Sequence, residues 1–296
     1  MTAALLTCCD PLRMRRPEPH FAAAVEAAGA LGSGVALLDH DALLRGDTAG
    51  AVAGVPGGLG RLWYRGWMLP SASYARLADV LAERGSVLVT DGRRYRRAHE
   101  LPGWYETFAT MTPRSVWLPA EPKSMLPAAR LAGLAASLGP GPVVVKDYVK
   151  SRKHEWDDAC YVPDGADTER LAAVVRRFME LQEDFLAGGI VLRAFEDFTG
   201  DEVRVWWIDG EPSLVTVHPD VQEGTDVAEA SLPGQELARV APLVRALACR
   251  FVTTDLALRS DGVWRVVEVG DGQVSDLPAA VNQGCLVEPL LNALSS

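Results

Sequence analysis

Three carboxylates near the C-terminal end of the chain have the residue type and spacing of a metal site. Glu268 ends a β-branched run that continues directly into a Gly-Asp-Gly turn, and Asp271 lies in that turn. Asp255 lies in the segment 250–258, which the turn 259–262 would join to the Glu268 strand as a hairpin. Carboxylates on neighbouring strands are the hard oxygen ligands that hold Mg²⁺ against nucleotide phosphates. Surface acids on a solvated hairpin show the same pattern, so these residues alone leave both interpretations open.

A lysine in an apolar strand supplies the complementary charge. The run 143–149 is almost continuously β-branched, and Lys146 lies in its middle, where an ammonium group costs free energy unless it meets an anion. Lys150, Lys153 and His154 follow in a cationic loop. A run of charges is often only a solvated surface. The lysine within the strand shifts the interpretation towards phosphate binding.

Two arginines have surroundings that suggest contact with a ligand. Arg65 stands among aromatic residues in the stretch 62–69 and could form a fork for a carboxylate or a phosphate, although arginines packed against rings are also common in protein cores. Arg204 and Glu202 share one face of a predicted strand, which implies a polar cavity on that face. A single histidine such as His99 specifies little, and we expect it to be structural or to lie at the surface.

The elements that would position these residues begin with an open sheet. A strand at 2–9, an Ala-rich helix at 21–31 and a strand at 35–38 predict an α/β sheet, in which ligands lie beyond the carboxyl ends of the strands. The basic loop 10–17 would lie at such an end, either facing an anion or as a solvated turn. The proline-rich stretch 112–119 predicts an extended linker and a domain boundary. Downstream, the periodicity predicts helices at 126–138, 168–186, 235–248 and 281–294, and strands at 143–149, 159–162, 190–196, 202–208 and 212–218.

Composition restricts the class of protein. The 296 residues are 48% hydrophobic and 23% charged, which is typical of a soluble globular chain long enough for two domains. The net charge of -10 provides no broad field for a polyanion, so nucleic-acid binding is disfavoured. The five cysteines lack the spacing of zinc sites, and the apolar stretch 1–9 is interrupted too early for a signal peptide or a membrane span. A cytoplasmic protein is the simplest expectation.

The order of these parts resembles the ATP-grasp enzymes. Four stretches are similar to motifs of the bacterial ATP-grasp clade that is named for an arginine and two lysines: Val-Val-Lys146-Asp-Tyr-Val-Lys150-Ser, Val-Leu-Arg193-Ala-Phe, Arg65-Gly-Trp-Met-Leu and Glu268-Val-Gly-Asp-Gly-Gln-Val-Ser. The resemblance extends over nearly the whole chain. It implies an α/β protein with α+β lobes, in which a small open α/β pre-grasp domain at 1–118 recognises the substrate. The two ATP-grasp lobes would follow at 119–190 and 191–296, the second carrying the metal site.

The resemblance also implies a nucleotide and metal site between the two lobes. Lysines would bind the ATP phosphates, the backbone of 192–195 would pair with adenine, Glu196 would lie near the ribose, and Arg204 near the transferring phosphoryl group. The nucleotide-binding residues implied in this way are Lys146, Lys150, Lys153, Arg193, Ala194, Phe195, Glu196, Glu202 and Arg204. Asp255 and Glu268 would coordinate Mg²⁺. Many relatives have Asn two residues after the metal glutamate, whereas this chain has Gly270, so Asp271 is expected to substitute as a ligand.

The activity that the resemblance implies is that of an ATP-dependent carboxylate–amine ligase. Such an enzyme forms an amide or peptide bond through an acyl phosphate and releases ADP and phosphate. The catalytic residues would be Lys146, Arg204, Glu268 and Arg65, and the acceptor side would use Arg65, Trp67, His154, Trp156, Gln273 and Ser275. A small-molecule kinase of ATP-grasp type and a non-catalytic nucleotide- or peptide-binding module remain as alternatives. The expected partners are small-molecule or peptide acids and amines, with a homodimer as the default assembly.

Overall fold

A computed structural model describes residues 3–219 and 232–294. The strands are β1 (Ala3–Asp10), β2 (Arg13–Pro17), β3 (Gly34–Leu38), β4 (Gly60–Tyr64), β5 (Ser86–Leu88), β6 (Ser115–Pro119), β7 (Val143–Asp147), β8 (Tyr161–Val162), β9 (Gly189–Ala194), β10 (Phe198–Ile208), β11 (Glu211–Val217), β12 (Phe251–Arg259) and β13 (Trp264–Asp271). The α-helices are α1 (Ala22–Ala30), α2 (His40–Leu44), α3 (Thr48–Ala51), α4 (Ser71–Glu83), α5 (Gly92–His99), α6 (Leu101–Phe108), α7 (Ala128–Ala136), α8 (Thr168–Gln182), α9 (Gly234–Leu247) and α10 (Gly284–Asn292). None of the helices in the described ranges is both long and apolar enough to cross a membrane. Thr2, where the first predicted strand begins, lies outside these ranges.

The chain divides into two compact units, and neither is one continuous segment. Unit 1 contains residues 1–98, 201–256 and 269–296, and unit 2 contains residues 99–200 and 257–268. The predicted boundaries after residues 118 and 190 do not coincide with this division. Strand pairing explains the difference at the first boundary, because β6 pairs along its whole length with β9 and so belongs to unit 2.

Unit 1 is built around a largely parallel sheet. β1 pairs in parallel with β3 and β4, and β4 pairs in parallel with β5. Successive side chains of the strands enter two apolar cores: Leu6 and Leu62 pack in one, and Leu5 packs with Trp63 and Phe251 in the other. This arrangement confirms the predicted open α/β sheet.

The segment 10–17 forms a hairpin strand and not the predicted basic loop. β2 runs antiparallel to the end of β1, with Cys9 opposite Pro17 and Asp10 opposite Arg13. The first four side chains of β2 are exposed. Backbone pairing therefore holds this strand in place. Its sequence does not alternate between apolar and polar residues, so the sequence pattern does not predict a strand here.

Unit 2 is built on an antiparallel sheet with the order β6-β9-β7-β8. Helices α7 and α8 share an apolar core with these strands, to which Leu131, Val145, Phe178 and Leu192 contribute. The edge strand β6 occupies the stretch predicted as an extended linker, so that prediction was wrong. Proline at the end of an edge strand, as at Pro119, is compatible with pairing on the other side of the strand.

The third sheet has the order β11-β10-β12-β13 and carries the predicted acidic residues. β12 and β13 are neighbours, as the hairpin turn at 259–262 predicts. Glu202 and Arg204 lie on β10, and Asp255 lies on β12. Asp255 belongs to unit 1, whereas Glu268 on β13 belongs to unit 2.

Candidate active site

Lys146 is buried in β7, as the apolar strand around it predicts. Its side chain is 5% exposed, and its Nζ lies 3.4 Å from the carbonyl oxygen of Val149 and 3.7 Å from Oε2 of Glu268. Burial lowers the pKa of this ammonium group, and the Glu268 carboxylate acts in the opposite direction. Lys146 and Glu268, both predicted to be catalytic, therefore lie side by side within unit 2.

A buried histidine of the same unit is influenced by the charges of two lysines. Burial lowers the pKa of His99 to about 3, and the charges of Lys150 and Lys146 act in the same direction. The imidazole is therefore neutral at physiological pH. A polyphosphate would be attracted by the two lysines that oppose protonation of His99.

The loop after β7 is fixed by a buried carboxylate. Oδ1 of Asp147 accepts hydrogen bonds from the backbone N–H groups of Val149 at 2.7 Å and Lys150 at 2.5 Å. Oδ2 accepts from Nε2 of Gln182 at 2.6 Å and from the backbone N–H of Ala187 at 3.2 Å. These bonds hold the backbone from which the exposed side chain of Lys150 projects.

The remainder of the cationic loop is exposed and leads into an aromatic cluster. Lys153 and His154 lie at the surface in a short 3-10 turn. Trp156 stacks on Tyr161 with ring centroids 5.3 Å apart, and Phe195 meets both rings edge-on, at 6.2 Å from Trp156 and 5.3 Å from Tyr161. Trp156, predicted to contact the acceptor, is thus grouped with the segment predicted to contact adenine.

The predicted adenine segment already uses its backbone donors. The N–H of Ala194 donates to the carbonyl oxygen of Arg114 at 2.8 Å, and the N–H of Phe195 donates to that of Pro142 at 3.0 Å. These two N–H groups cannot also donate to adenine. Contact between this segment and adenine would therefore use its carbonyl oxygens or neighbouring N–H groups. The prediction stays a prediction in that narrower form.

Arg193 and Glu196 also have polar contacts within unit 2. Arg193 donates from Nε to Oγ of Ser115 at 3.1 Å and from Nη1 to the carbonyl oxygen of Val267 at 2.6 Å. Glu196 accepts from Nε and Nη2 of Arg265 at 2.9 and 3.0 Å. A nucleotide would have to compete with these contacts, and the nucleotide-binding role of Arg193 and the ribose contact of Glu196 remain predictions.

Arg204 and Asp255 form a buried ion pair in unit 1. Nε of Arg204 donates to Oδ1 of Asp255 at 2.7 Å, and Nη2 donates to Oδ2 at 2.8 Å. The Arg204 side chain is 9% exposed and the Asp255 side chain 4%. Nη1 of Arg204 also donates to the carbonyl oxygen of Asp276 at 3.2 Å. Arg204 was predicted to contact the phosphoryl group and Asp255 to bind the metal. In this structure the two side chains are bonded to each other.

Arg65 is enclosed within unit 1. Its Nη1 donates to the carbonyl oxygens of Gln273 at 3.1 Å and Ser275 at 2.5 Å, and its guanidinium lies 5.8 Å from the ring centroid of Trp206. Nε of Arg65 has no hydrogen-bond partner within the described residues. Burial lowers the pKa of Arg65 to about 10, so the side chain is still cationic at neutral pH.

Gln273 and Asp271 support this arrangement from inside unit 1. The Gln273 side chain is fully buried, and its Nε2 donates to the hydroxyl of Tyr74 at 3.0 Å and to Oδ1 of Asp271 at 2.9 Å. The same Asp271 oxygen accepts from the Gln273 backbone N–H at 3.0 Å, and Oδ2 has no hydrogen-bond partner among the described residues. Burial raises the pKa of Asp271 to about 7. Asp271 thus holds Gln273 in place, and its role as a metal ligand stays a prediction.

A surface cavity of about 740 Å³ lies in unit 1. His20 lines this cavity and stacks on Trp67 with ring centroids 4.6 Å apart. Other polar residues of the lining are Glu26, Asn282 and Gln283. The cavity has the volume of a small-molecule or peptide side-chain site.

The predicted polar and charged site residues include three groups that are in contact. These are Lys146 with Glu268, Arg204 with Asp255, and Arg65 with Gln273 and Ser275. Asp255 and Glu268 belong to different units, so their joint coordination of a metal stays a prediction. Asp147 was not predicted as a positioning residue, because its only signal was a carboxylate at the end of an apolar strand.

Three solved structures of similar fold match nearly their whole length to this chain. D-cycloserine synthetase DcsG has a TM-score of 0.62 at 17% identity and covers 97% of this chain and 100% of its own. The RimK domain protein ATP-grasp from Sphaerobacter thermophilus has a TM-score of 0.61 at 14% identity, with 98% and 100% covered. Macrocyclase MdnC bound with precursor peptide MdnA, from Microcystis aeruginosa MRC, has a TM-score of 0.58 at 13% identity, with 98% and 99% covered. At these identities the likeness shows the fold alone.

The sequence itself matches one family. No curated protein matches it significantly. Family 3 of the ATP-grasp domains in the clade named for an arginine and two lysines matches residues 137–290, which is more than half of the 296 residues. The match includes Lys146, Arg204, Asp255 and Glu268, which form two of the three groups of the site. This protein therefore belongs to that clade of the ATP-grasp proteins.

Proposed function

We propose that this protein is an ATP-dependent carboxylate–amine ligase, which forms an amide or peptide bond through an acyl phosphate and releases ADP and phosphate. The placement of Lys146 carries the proposal. An ammonium group in a buried strand, 3.7 Å from the Glu268 carboxylate, costs free energy that a bound phosphate would offset. Because Lys150 reinforces the positive field at His99, unit 2 offers a cationic site for a polyphosphate.

We expect these side chains to bind a magnesium nucleotide. Lys146, with Lys150 or Lys153, would hold the phosphates, and the Glu268 carboxylate beside Lys146 offers oxygens of the kind that Mg²⁺ prefers. Magnesium, when bound, neutralises charge on the transferring phosphoryl group. The lysines would orient the phosphate oxygens, and Asp147 holds the loop that carries Lys150 by accepting hydrogen bonds from the backbone N–H groups of Val149 and Lys150.

The proposed reaction has two steps. A carboxylate oxygen of the acid substrate attacks the γ-phosphorus of ATP, and the bond to the bridging oxygen breaks, so that an acyl phosphate and ADP form. The amine nitrogen then attacks the acyl carbon, loses a proton and expels phosphate, which leaves the amide. The protein has to hold charges in place and exclude water, because phosphoryl transfer needs little covalent help.

Unit 1 supplies candidate contacts for the acid substrate. Arg65 is a buried guanidinium that is still cationic at neutral pH, and we propose it as the group that pairs with the carboxylate of a substrate. The cavity of about 740 Å³ that His20 lines lies in the same unit and is a candidate volume for the rest of the acid. The structure of MdnC contains a precursor peptide, and we propose a peptide carboxylate as the first class of acid to test.

The test is substrate-dependent release of ADP by the full chain with Mg·ATP, a panel of peptide acids and an amine. We expect ADP and not AMP, and hydroxylamine should trap the activated acid as a hydroxamate. Production of AMP, or ADP release at the same rate without any acid, would contradict the proposal. A stable phosphorylated product without amide would instead indicate a kinase.

Replacing Lys146 tests the observation that carries the proposal. We expect Lys146→Met to lower kcat/KM by about 10²- to 10³-fold, because it removes a buried charge that stabilises the transferring phosphoryl group. The urea midpoint of this variant should equal or exceed that of the wild type, since a buried ammonium is exchanged for an apolar side chain of similar length. Lys123→Met is the matched control, because the Lys123 side chain is 67% exposed and pairs with Asp184. Full activity of Lys146→Met would exclude the phosphate role.

A further inference from the structure

Three side chains of unit 1 bring a nitrogen ligand and two carboxylates together. Glu202 lies on β10, His218 directly follows β11, and Asp255 lies on β12. Backbone pairing sets this arrangement, because the His218 N–H donates to the carbonyl oxygen of Glu202 at 2.9 Å. One ligand atom from each residue lies within 4.8 Å of the other two, and Nε2 of His218 is 3.7 Å from Oδ2 of Asp255.

These distances are close to those within a metal coordination shell. Bonds of about 2.0–2.2 Å to a shared ion place opposite ligand atoms about 4.4 Å apart and ligand atoms at tetrahedral angles about 3.4 Å apart, so these side chains would have to move inward by up to about 1 Å to share an ion. The ligand set distinguishes it from a magnesium site. Imidazole nitrogen suits transition ions such as Zn²⁺ and carboxylate oxygens suit Mn²⁺, whereas Mg²⁺ prefers oxygen ligands and water alone.

Arg204 already neutralises one member of the group. Its guanidinium donates to both oxygens of Asp255, at 2.7 and 2.8 Å, and both side chains are buried. A divalent ion on Asp255 and the guanidinium would repel each other at this short range. Metal binding and the Arg204–Asp255 pair therefore compete for the same carboxylate.

We propose that Glu202, His218 and Asp255 form a site for a divalent transition ion of the Mn²⁺ class, which binds without nucleotide by displacing Arg204 from Asp255. The site lies wholly within unit 1 and does not require Glu268. Displacement would free the Arg204 guanidinium for an anion. The proposal does not depend on ligase activity, because the ion binds before any substrate.

The experiment measures Mn²⁺ binding to the metal-free full chain without nucleotide, by the loss of the free-ion EPR signal and by pulsed EPR. We expect one Mn²⁺ per chain, with nitrogen modulation from a bound imidazole. His218→Ala should weaken Mn²⁺ binding by about 10- to 100-fold and remove the nitrogen modulation. Arg204→Gln should tighten Mn²⁺ binding, because it removes the competing cation.

The matched control is His20→Ala. His20 also lies in unit 1 with its Nε2 2.8 Å from a carboxylate oxygen of Asp276, yet it is outside the proposed site. This variant should bind Mn²⁺ as the wild type does. Nitrogen modulation that survives in His218→Ala would overturn the proposal, and so would absence of Mn²⁺ binding to the wild type at millimolar ion. Near-UV circular dichroism of each variant shows that the fold is intact.

Discussion

At the scale of single residues, the candidate site consists of charged groups that are buried with specific contacts. Lys146 and Arg65 have pKa values lowered by burial, and Asp271 has a pKa raised by burial, so each carries a desolvation cost within the folded chain. Arg204 and Asp255 are also buried, and their bidentate ion pair offsets the cost of their own desolvation. Perturbed groups of this kind cluster where proteins bind charged ligands, which agrees with the proposed nucleotide chemistry.

Asp271 gives a prediction for stability as a function of pH. Burial raises its pKa from 3.8 to about 7, so the folded chain retains a proton that the unfolded chain releases near pH 4. Below pH 3.8 both states are protonated and this group causes no loss of stability. Between pH 3.8 and 7 the unfolded state binds fewer protons, so the free energy of unfolding falls as pH rises, by up to about 4 kcal/mol.

Asp271→Asn should remove this contribution. The measurement is urea unfolding at several pH values, and the difference in unfolding free energy between variant and wild type should grow in favour of Asn from pH 4 to 7. Asp261→Asn serves as the control, because hydrogen bonding to Arg259 lowers the pKa of that exposed carboxyl, which is the opposite sign. Parallel pH profiles for the wild type and Asp271→Asn would show that Asp271 is ionised in the folded chain.

At the scale of elements, β7 and the loop that follows it act as one support for the lysines. Lys146 projects from the strand, and Asp147, the next residue, fixes the backbone of Val149 and Lys150. The second oxygen of Asp147 reaches Gln182 at the end of α8. One buried carboxylate thus couples the loop to the helix packed beside it.

Asp147→Ala should therefore destabilise the protein more than an ordinary turn substitution does. It removes the acceptor of four hydrogen bonds, and we expect a loss of about 3–5 kcal/mol, since each buried group left unpaired costs about 1–3 kcal/mol. Urea unfolding measures the loss, and amide hydrogen exchange at Lys150 should quicken. The control is Asp164→Ala, because Oδ1 of Asp164 accepts a single exposed hydrogen bond from the Ala166 N–H. Equal losses in the two variants would contradict the role assigned to Asp147.

The same elements show which parts of the site a sequence can predict. The Lys146 strand and the Asp255 and Glu268 hairpin were predictable because their apolar runs and turn residues are local signals. The contacts of His218 and Asp147 were not predictable. His218 lies beside Asp255 and Asp147 bonds to Gln182, and both partners are distant in the sequence. β2 and β6 were also missed, since an exposed strand and a proline-flanked edge strand carry little periodicity.

At the scale of the whole molecule, the compact units are assembled from stretches that are not consecutive in the sequence. Unit 1 takes its residues from three separate stretches. Its second apolar core contains Leu5 and Trp63 from the N-terminal stretch, Phe251 from the middle one and Leu290 from the last. An N-terminal segment on its own would therefore lack Phe251 and Leu290, the residues against which its Leu5 and Trp63 pack.

The segment 1–118, predicted as a pre-grasp domain, should consequently not fold alone. Trp63 is fully buried, packs edge-on against Phe251 at 5.9 Å and donates from Nε1 to the carbonyl oxygen of Leu290 at 2.7 Å. Without those partners its ring would be exposed to water, at a cost of several kcal/mol, which is comparable to the whole stability of a small domain. Near-UV circular dichroism and urea unfolding of the fragment should show no cooperative transition. Co-expression with the segment 119–296 should restore protected tryptophan fluorescence, because it returns Phe251 and Leu290. A cooperative transition in the isolated fragment would mean that the N-terminal sheet is stable without the later stretches of unit 1.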